Sequence, residues 1–209
     1  MYKSLIAFAV LILTLSLISL PLLAQDTSTT ILQKAKVASD AGDTAVALNL
    51  LEQVMIQSAG LDRKAFGQSQ GQYWPLIAKT NGFSRAYEFL GALAVNHPEV
   101  PDVLAAKGSA VGGYLGWLKS SGKAQSMTGE AFRKLDGEAR TAYDRALQLD
   151  PDNFSALLGL AIYESYAPGG TEHSRALFHR LEGLRAGHPE YPWQMVDQFA
   201  SQQQQHSAH

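Results

Sequence analysis

The chain has 209 residues, of which 46% are hydrophobic and 17% are charged, and its formal net charge is −2. This composition is typical of a globular chain, and the length suggests one domain or one short repeat array. The chain has no cysteine, which excludes disulfides and thiolate metal sites, and it shows no run of basic residues, so we expect neither nucleic acid nor an anionic membrane surface as a partner.

The first residues predict an export signal. Lys3 is followed by an apolar run from Leu5 to Leu20, a break at Pro21 and the small residue Ala24. A positive charge, an apolar stretch and a small residue are the features of a secretory signal peptide. We therefore predict a signal peptide over residues 1–24 and export, with the periplasm as the compartment that fits best.

The alternative for this segment is an uncleaved N-terminal helix that anchors the protein to the inner membrane. The apolar run to Leu20 spans sixteen residues, whereas a spanning helix needs roughly 20 predominantly apolar residues. If the leader is removed, we expect no stable membrane insertion.

Apolar residues recur at helical spacing in the rest of the chain, and no alternating run bounded by turn residues indicates a strand. Two later stretches share the same spacing: two small or bulky residues four apart, a third one three residues on, and a proline five residues after that. The first helical pair is divided by a Gly-Asp turn. These positions are Ile31, Ala35, Ala38, Gly42, Asp43, Ala47, Leu51 and Val54 in the first pair, then Ala86, Leu90, Leu93 and Pro98, then Ala139, Tyr143, Ala146 and Pro151.

The segment AYDRALQLDPDN, residues 142–153, resembles the closing half of a tetratricopeptide repeat, a helix–turn–helix unit of 34 residues. The resemblance implies an all-α fold: a short right-handed α-solenoid of about four such hairpins over residues 25–192. One long insertion, residues 112–130, and a capping helix with a frayed polar tail over residues 193–209 complete this prediction. The turn Pro168-Gly169-Gly170 also resembles, weakly, exported tetratricopeptide proteins associated with periplasmic transporters.

Glycines recur at a spacing of four just before and within the insertion, at Gly108, Gly112 and Gly116. Each interior glycine costs about 1 kcal/mol relative to alanine, so something should offset this cost. Close helix packing is the first interpretation, a hollow that holds a ligand the second, and a helix break at Gly112-Gly113 the third. The polar segment Ser120–Gly129 is interpreted as a crossover between two lengthened helices, or as a mobile lip over a groove.

No pattern predicts catalysis. The histidines show no metal-ligand spacing, and no serine lies in a Gly-x-Ser-x-Gly elbow. Asp150 and Asp152 flank a helix boundary and are interpreted as turn and capping groups. We therefore expect no enzyme activity, no metal and no cofactor.

In tetratricopeptide proteins the first helix of each hairpin lines a concave groove, and the resemblance carries this role to eight positions here. They are Lys36, Lys79, Ala105, Ser109, Gly112, Leu158, Ile162 and Tyr166. We predict a non-catalytic exported scaffold that binds a protein or peptide in this groove. The alternative is a periplasmic protein, associated with a transporter, that binds a lipid or another small apolar molecule.

Overall fold

The computed structural model describes residues 27–167, 170–189 and 191–206, and within these ranges the protein is all-α, as predicted. The helices are α1 Ser28–Asp40, α2 Thr44–Ser58, α3 Arg63–Thr80, α4 Phe83–Asn96, α5 Pro101–Ser120, α6 Gly129–Leu149, α7 Phe154–Ser165, α8 Thr171–Leu184 and α9 Trp193–His206. The predicted signal peptide and most of the predicted Pro-Gly-Gly turn lie outside the described residues. Within those residues, no helix combines the length and the apolar character that a membrane crossing requires.

Most helices begin where a short polar side chain accepts a hydrogen bond from the third amide of the first turn. This contact satisfies one of the free amides at a helix start and contributes about 1 kcal/mol. The residues in this role are Thr27, Asp43, Asp62, Thr128 and Asn153. The predicted Gly-Asp turn between α1 and α2 is confirmed, because Gly42 has a φ of 83° and Asp43 caps α2.

Helices that are neighbours in the chain are mostly neighbours in space. α1 packs on α2, α2 on α3, α4 on α5, α5 on α6, and α7 on α8, while α5 also packs directly on α7. α3 and α4 approach each other closely at few places, and Tyr73 and Phe89 lie between them with ring centroids 6.2 Å apart. The part of the molecule from α4 onward is centred on α5, which contacts α4, α6 and α7.

Six of the fully buried alanines lie where helices meet, and the spacing singled out all of these six except Ala161, whereas Ala38 from the same series is half-buried. Each of the six has an exposed fraction of 0%, and larger apolar residues from neighbouring helices fill the core around them. These fully buried alanines are Ala35, Ala47, Ala86, Ala139, Ala146 and Ala161. Methyl side chains keep the helix axes close, so the predicted close packing through small residues is confirmed.

The insertion consists of the long ends of α5 and α6, which have 20 and 21 residues, joined by a 3₁₀ turn at Lys123–Ser126. The predicted crossover between two lengthened helices is therefore confirmed. The two helices pack closely against each other.

The last helix, α9, packs against α7 and α8. Val196 is fully buried, and Trp193 packs edge-on against Phe154 with ring centroids 5.3 Å apart. The indole N–H of Trp193 also donates to the carbonyl of His188 at 2.8 Å. The backbone of α9 stays helical to His206, where the polar tail was predicted to fray from Gln202, because glutamine is a good helix former.

Candidate functional site

Tyr143 occupies the centre of the contact between α5, α6 and α7. Its ring is 2% exposed and lies between two glycines, and its hydroxyl lies 3.2 Å from the hydroxyl of Ser109. A Cβ atom at Gly108 would lie 2.7 Å from this ring, and one at Gly159 would lie 2.6 Å from it. Both distances are shorter than atoms tolerate, so the two glycines make room for the aromatic ring.

A second aromatic ring explains the next glycine of the run. A Cβ at Gly112 would lie 3.1 Å from the ring of Tyr163, whereas nothing lies within 4 Å of one at Gly116. Close packing is thus confirmed at Gly108 and Gly112. The ligand hollow is wrong at these two positions because aromatic rings fill the space, and the helix break is wrong because α5 is continuous through Gly112.

A buried carboxylate lies beside Tyr163. The side chain of Glu164 is 4% exposed and accepts a hydrogen bond from Arg140, which also contacts Asp136 at 3.4 Å. The hydroxyl of Tyr163 donates to Asp136, and Nδ1 of His173 lies 3.8 Å from Glu164. These contacts tie α6 to α7 and α8 and leave the charges of Arg140 and Glu164 committed to each other.

Three tyrosines have a pKa well above the usual range of about 10. Burial is the first cause for Tyr73, Tyr143 and Tyr163. A carboxylate adds to it for two of them: Glu52 accepts from Tyr73, and Asp136 accepts from Tyr163. The folded protein therefore keeps these phenols neutral.

We expect the protein to lose stability above about pH 10, because these phenols ionise at lower pH in the unfolded chain than in the folded one. The neutral phenols contribute their full stabilisation at pH values below the pKa of tyrosine in the unfolded chain. This stabilisation falls as the pH rises above that pKa. Absorbance at 295 nm and circular dichroism, recorded together in an alkaline titration, check this. A part of the phenolate signal should appear only as the helical signal is lost. Full ionisation with the helices intact would contradict it.

A cleft of about 330 Å³ lies between the α2–α3 connection and the α4–α5 connection. Leu61 at its rim is 85% exposed, while Phe66 forms a buried wall. The lining residues are Ser58, Gly60, Leu61, Arg63, Phe66, Glu99, Val100, Pro101 and Asp102. The sequence did not indicate this cleft, because its two walls come from connections about forty residues apart in the chain.

Arg63 links three helix ends beside this cleft. Its Nε lies 3.0 Å from Asp102 and its Nη2 lies 2.9 Å from Asp150, while Asn153 donates to Asp102 at 2.9 Å. Burial would lower the pKa of Arg63, but Asp102 and Asp150 offset this and raise it. Asp150, interpreted from the sequence as a turn group, is thus also an ion-pair partner for a residue at the start of α3.

The predicted groove residues fall into three classes of exposure. Ala105 and Leu158 are buried, at 0% and 7%, and present no side chain to a partner. Lys36 and Lys79 are exposed on α1 and α3, and Lys36 pairs with Asp40 at 2.7 Å. The remaining four lie on the contacting helices α5 and α7 or at the end of α7: Ser109, Gly112 and Ile162 are half-buried, and Tyr166 is 73% exposed.

No metal-binding geometry is present in the described part of the chain, where no three His, Asp or Glu side chains converge. The polar side chains at the centre are instead arranged in pairs across helix contacts. The arrangement can hold helices at fixed distances. Among the described residues, the large apolar side chains that face solvent are Val37, Val46, Ile56, Leu61, Val95, Tyr166 and Met195, and Tyr166 is the one aromatic residue of this set.

Comparison with known proteins gives little similarity. No family model matches the chain, and no curated protein matches it. One crystal structure, of a "putative protein binding protein" from Bacteroides ovatus ATCC 8483, aligns over 84% of this chain and 97% of that chain at 15% identity, with a TM-score of 0.35. These results assign the chain to no family, so the tetratricopeptide resemblance stays a prediction.

Proposed function

We propose that this protein is a non-catalytic, exported scaffold, a short solenoid of tetratricopeptide-like hairpins that binds a protein or peptide with the surface of its first helices. In this proposal α1, α3, α5 and α7 are the first helices of four hairpins, of which the pair α3 and α4 is the most loosely packed. The direct packing of α5 on α7, with α6 and α8 as their hairpin partners, supports it, because this order of contacts is expected of stacked two-helix repeats.

The observation that carries the binding role is the exposure of Tyr166. This residue follows the last turn of α7, is 73% exposed, and comes one turn after the half-buried Ile162. Large aromatic side chains at a surface supply much of the binding energy in protein interfaces. The Arg140–Glu164 contact ties α7 to α6 close to Tyr166, and a side chain on a preorganised support loses less conformational entropy when it binds.

The alternative function, a carrier of a small apolar molecule associated with a transporter, is favoured by the cleft at Leu61 and no longer by the glycine run. A volume of about 330 Å³ lies at the lower end of the range for ligand pockets, ~300–1,000 Å³. Native mass spectrometry of gently purified protein separates the two functions, because a retained small mass would favour the carrier.

Export is part of the proposal on the strength of the N-terminal sequence, Lys3 and the apolar run to Leu20. The periplasm is proposed as the compartment, and anchoring by an uncleaved N-terminal helix is the alternative. An interaction test should therefore use the full chain with its own N-terminus, expressed in cells that can export it.

We expect p-benzoylphenylalanine at position 166 to form a discrete photo-crosslink to one partner protein. The control places p-benzoylphenylalanine at position 46. Val46 is also exposed, at 43%, but it lies on α2, which in this proposal is the second helix of a hairpin and faces away from the binding surface. With the partner identified, Tyr166→Ser should weaken its binding at least about tenfold, the loss of a typical interface anchor, and Val46→Ser should leave it unchanged. Equal crosslinks at both positions, or equal binding by both variants, would contradict the proposed surface.

A further inference from the structure

The crossover end of α5 and α6 concentrates positive charge in a protein that is acidic as a whole. Residues 119–134 contain four basic residues and one acidic residue, Glu130, while the chain carries a formal net charge of −2. All four basic side chains are exposed. They are named here the basic tip: Lys119, Lys123, Arg133 and Lys134.

The cations of the basic tip differ from most others in their pairing. Five arginines elsewhere lie in ion pairs with carboxylates: Arg63, Arg85, Arg140, Arg145 and Arg185. Within the ranges that the structure describes, no carboxylate pairs with any residue of the basic tip. Their charge is therefore available to a partner.

Aromatic rings hold two of these cations in place. The Nζ atom of Lys123 lies 4.3 Å from the centre of the Trp117 ring, and that of Lys119 lies 5.0 Å from the centre of the Phe132 ring. Such contacts contribute about 0.5–1 kcal/mol at exposed sites, and they restrict where the ammonium groups point. Because Phe132 lies at the start of α6, the second contact joins the two helix ends.

We propose that the basic tip binds an acidic segment of a partner protein. Charge complementarity carries this assignment, since four unpaired cations attract a chain of carboxylates and speed its encounter with the protein. The sequence indicated no basic cluster because the two halves of the tip are separated by a polar turn.

The aromatic contacts argue against single-stranded nucleic acid as the occupant. Bases bind to open aromatic faces, but Lys123 covers one face of Trp117, and Tyr114 stacks with the same ring at 5.7 Å. An anionic membrane surface fits less well too, because interfacial binding adds exposed apolar side chains to the cations, and no large, exposed hydrophobic residue lies in the described tip.

The test uses two variants with the same loss of charge. The tip variant is Arg133→Gln/Lys134→Gln, and the control variant is Lys64→Gln/Arg175→Gln. Each removes one lysine and one arginine from exposed positions and lowers the net charge by two. All four side chains face solvent, so both variants should keep the thermal stability of the natural chain.

The probe is a fluorescein-labelled acidic peptide, acetyl-Glu-Asp-Glu-Asp-Glu-Asp-amide, and binding to the full chain is followed by fluorescence anisotropy at low salt. We expect saturable binding that weakens as salt rises. The tip variant should bind at least about tenfold more weakly, and the control variant less than about threefold more weakly.

Three outcomes would overturn the assignment. Equal losses in the two variants would show that overall charge, and not the basic tip, attracts the peptide. Equal binding of the matching Gln-Asn peptide would remove the role of charge. Tighter, tip-dependent binding of a single-stranded oligonucleotide, or of phosphatidylglycerol vesicles, would assign the surface to another class of partner.

Discussion

Gly108→Ala and Gly159→Ala are each expected to lower the free energy of unfolding by about 1–3 kcal/mol, the usual cost of overpacking a buried site. Alanine is the better helix former by about 1 kcal/mol, so helix propensity alone predicts the opposite sign. The clash decides the outcome, because a Cβ at either position would lie 2.6–2.9 Å from ring atoms of Tyr143. That ring is 2% exposed and has little room to move.

Gly116→Ala is the matched control, in the same helix and the same series of glycines. Nothing lies within 4 Å of a Cβ at this position, and the residue is exposed. We expect a gain of up to about 1 kcal/mol from helix propensity. Urea unfolding followed by circular dichroism measures all three variants. In a Tyr143→Leu background, Gly108→Ala should cost much less than in the natural chain. An unchanged cost would mean that the ring is not the obstacle.

The sequence predicted the local order of this fold well, because helix spacing and turn residues act over short distances. The buried alanines at helix crossings, such as Ala86 and Ala139, were predicted, and so were the long helices of the insertion. Tyr143 was predicted only as a bulky position. Its two glycine partners lie 35 residues before and 16 residues after it, and spacing within one helix does not show such pairs.

Electrostatic pairing was the part that the sequence could not predict. The pair of Arg63 with Asp150 spans 87 residues, and pairs of this kind decide which charges remain free. The chain has 17 basic residues in total and no basic run. The concentration of free cations at the crossover appears only when the paired arginines elsewhere are known, so an expectation based on composition missed it.

Arg140→Met is expected to lower the free energy of unfolding by about 2–4 kcal/mol. Breaking a buried ion pair typically costs about 3–5 kcal/mol because one charge is left uncompensated. We expect a smaller loss in the free energy of unfolding here, because solvent screens part of the charge of Arg140, whose side chain is 37% exposed. The side chain of Glu164 is only 4% exposed. Urea or thermal unfolding followed by circular dichroism measures the loss.

Arg145→Met is the matched control, because Arg145 also lies on α6 and is 42% exposed, but its partner Glu99 is 67% exposed. Exposed pairs contribute about 0–1 kcal/mol, so this variant should stay close to the natural chain. Arg140→Met/Glu164→Gln should recover more than half of the loss, since the amide removes the uncompensated charge and keeps the shape of the side chain. Two results would contradict this: an equal loss of unfolding free energy in both arginine variants, or no recovery with glutamine at position 164. Either would mean that the Arg140–Glu164 pair does not hold α6 against α7. The support proposed for Tyr166 would then lose its basis.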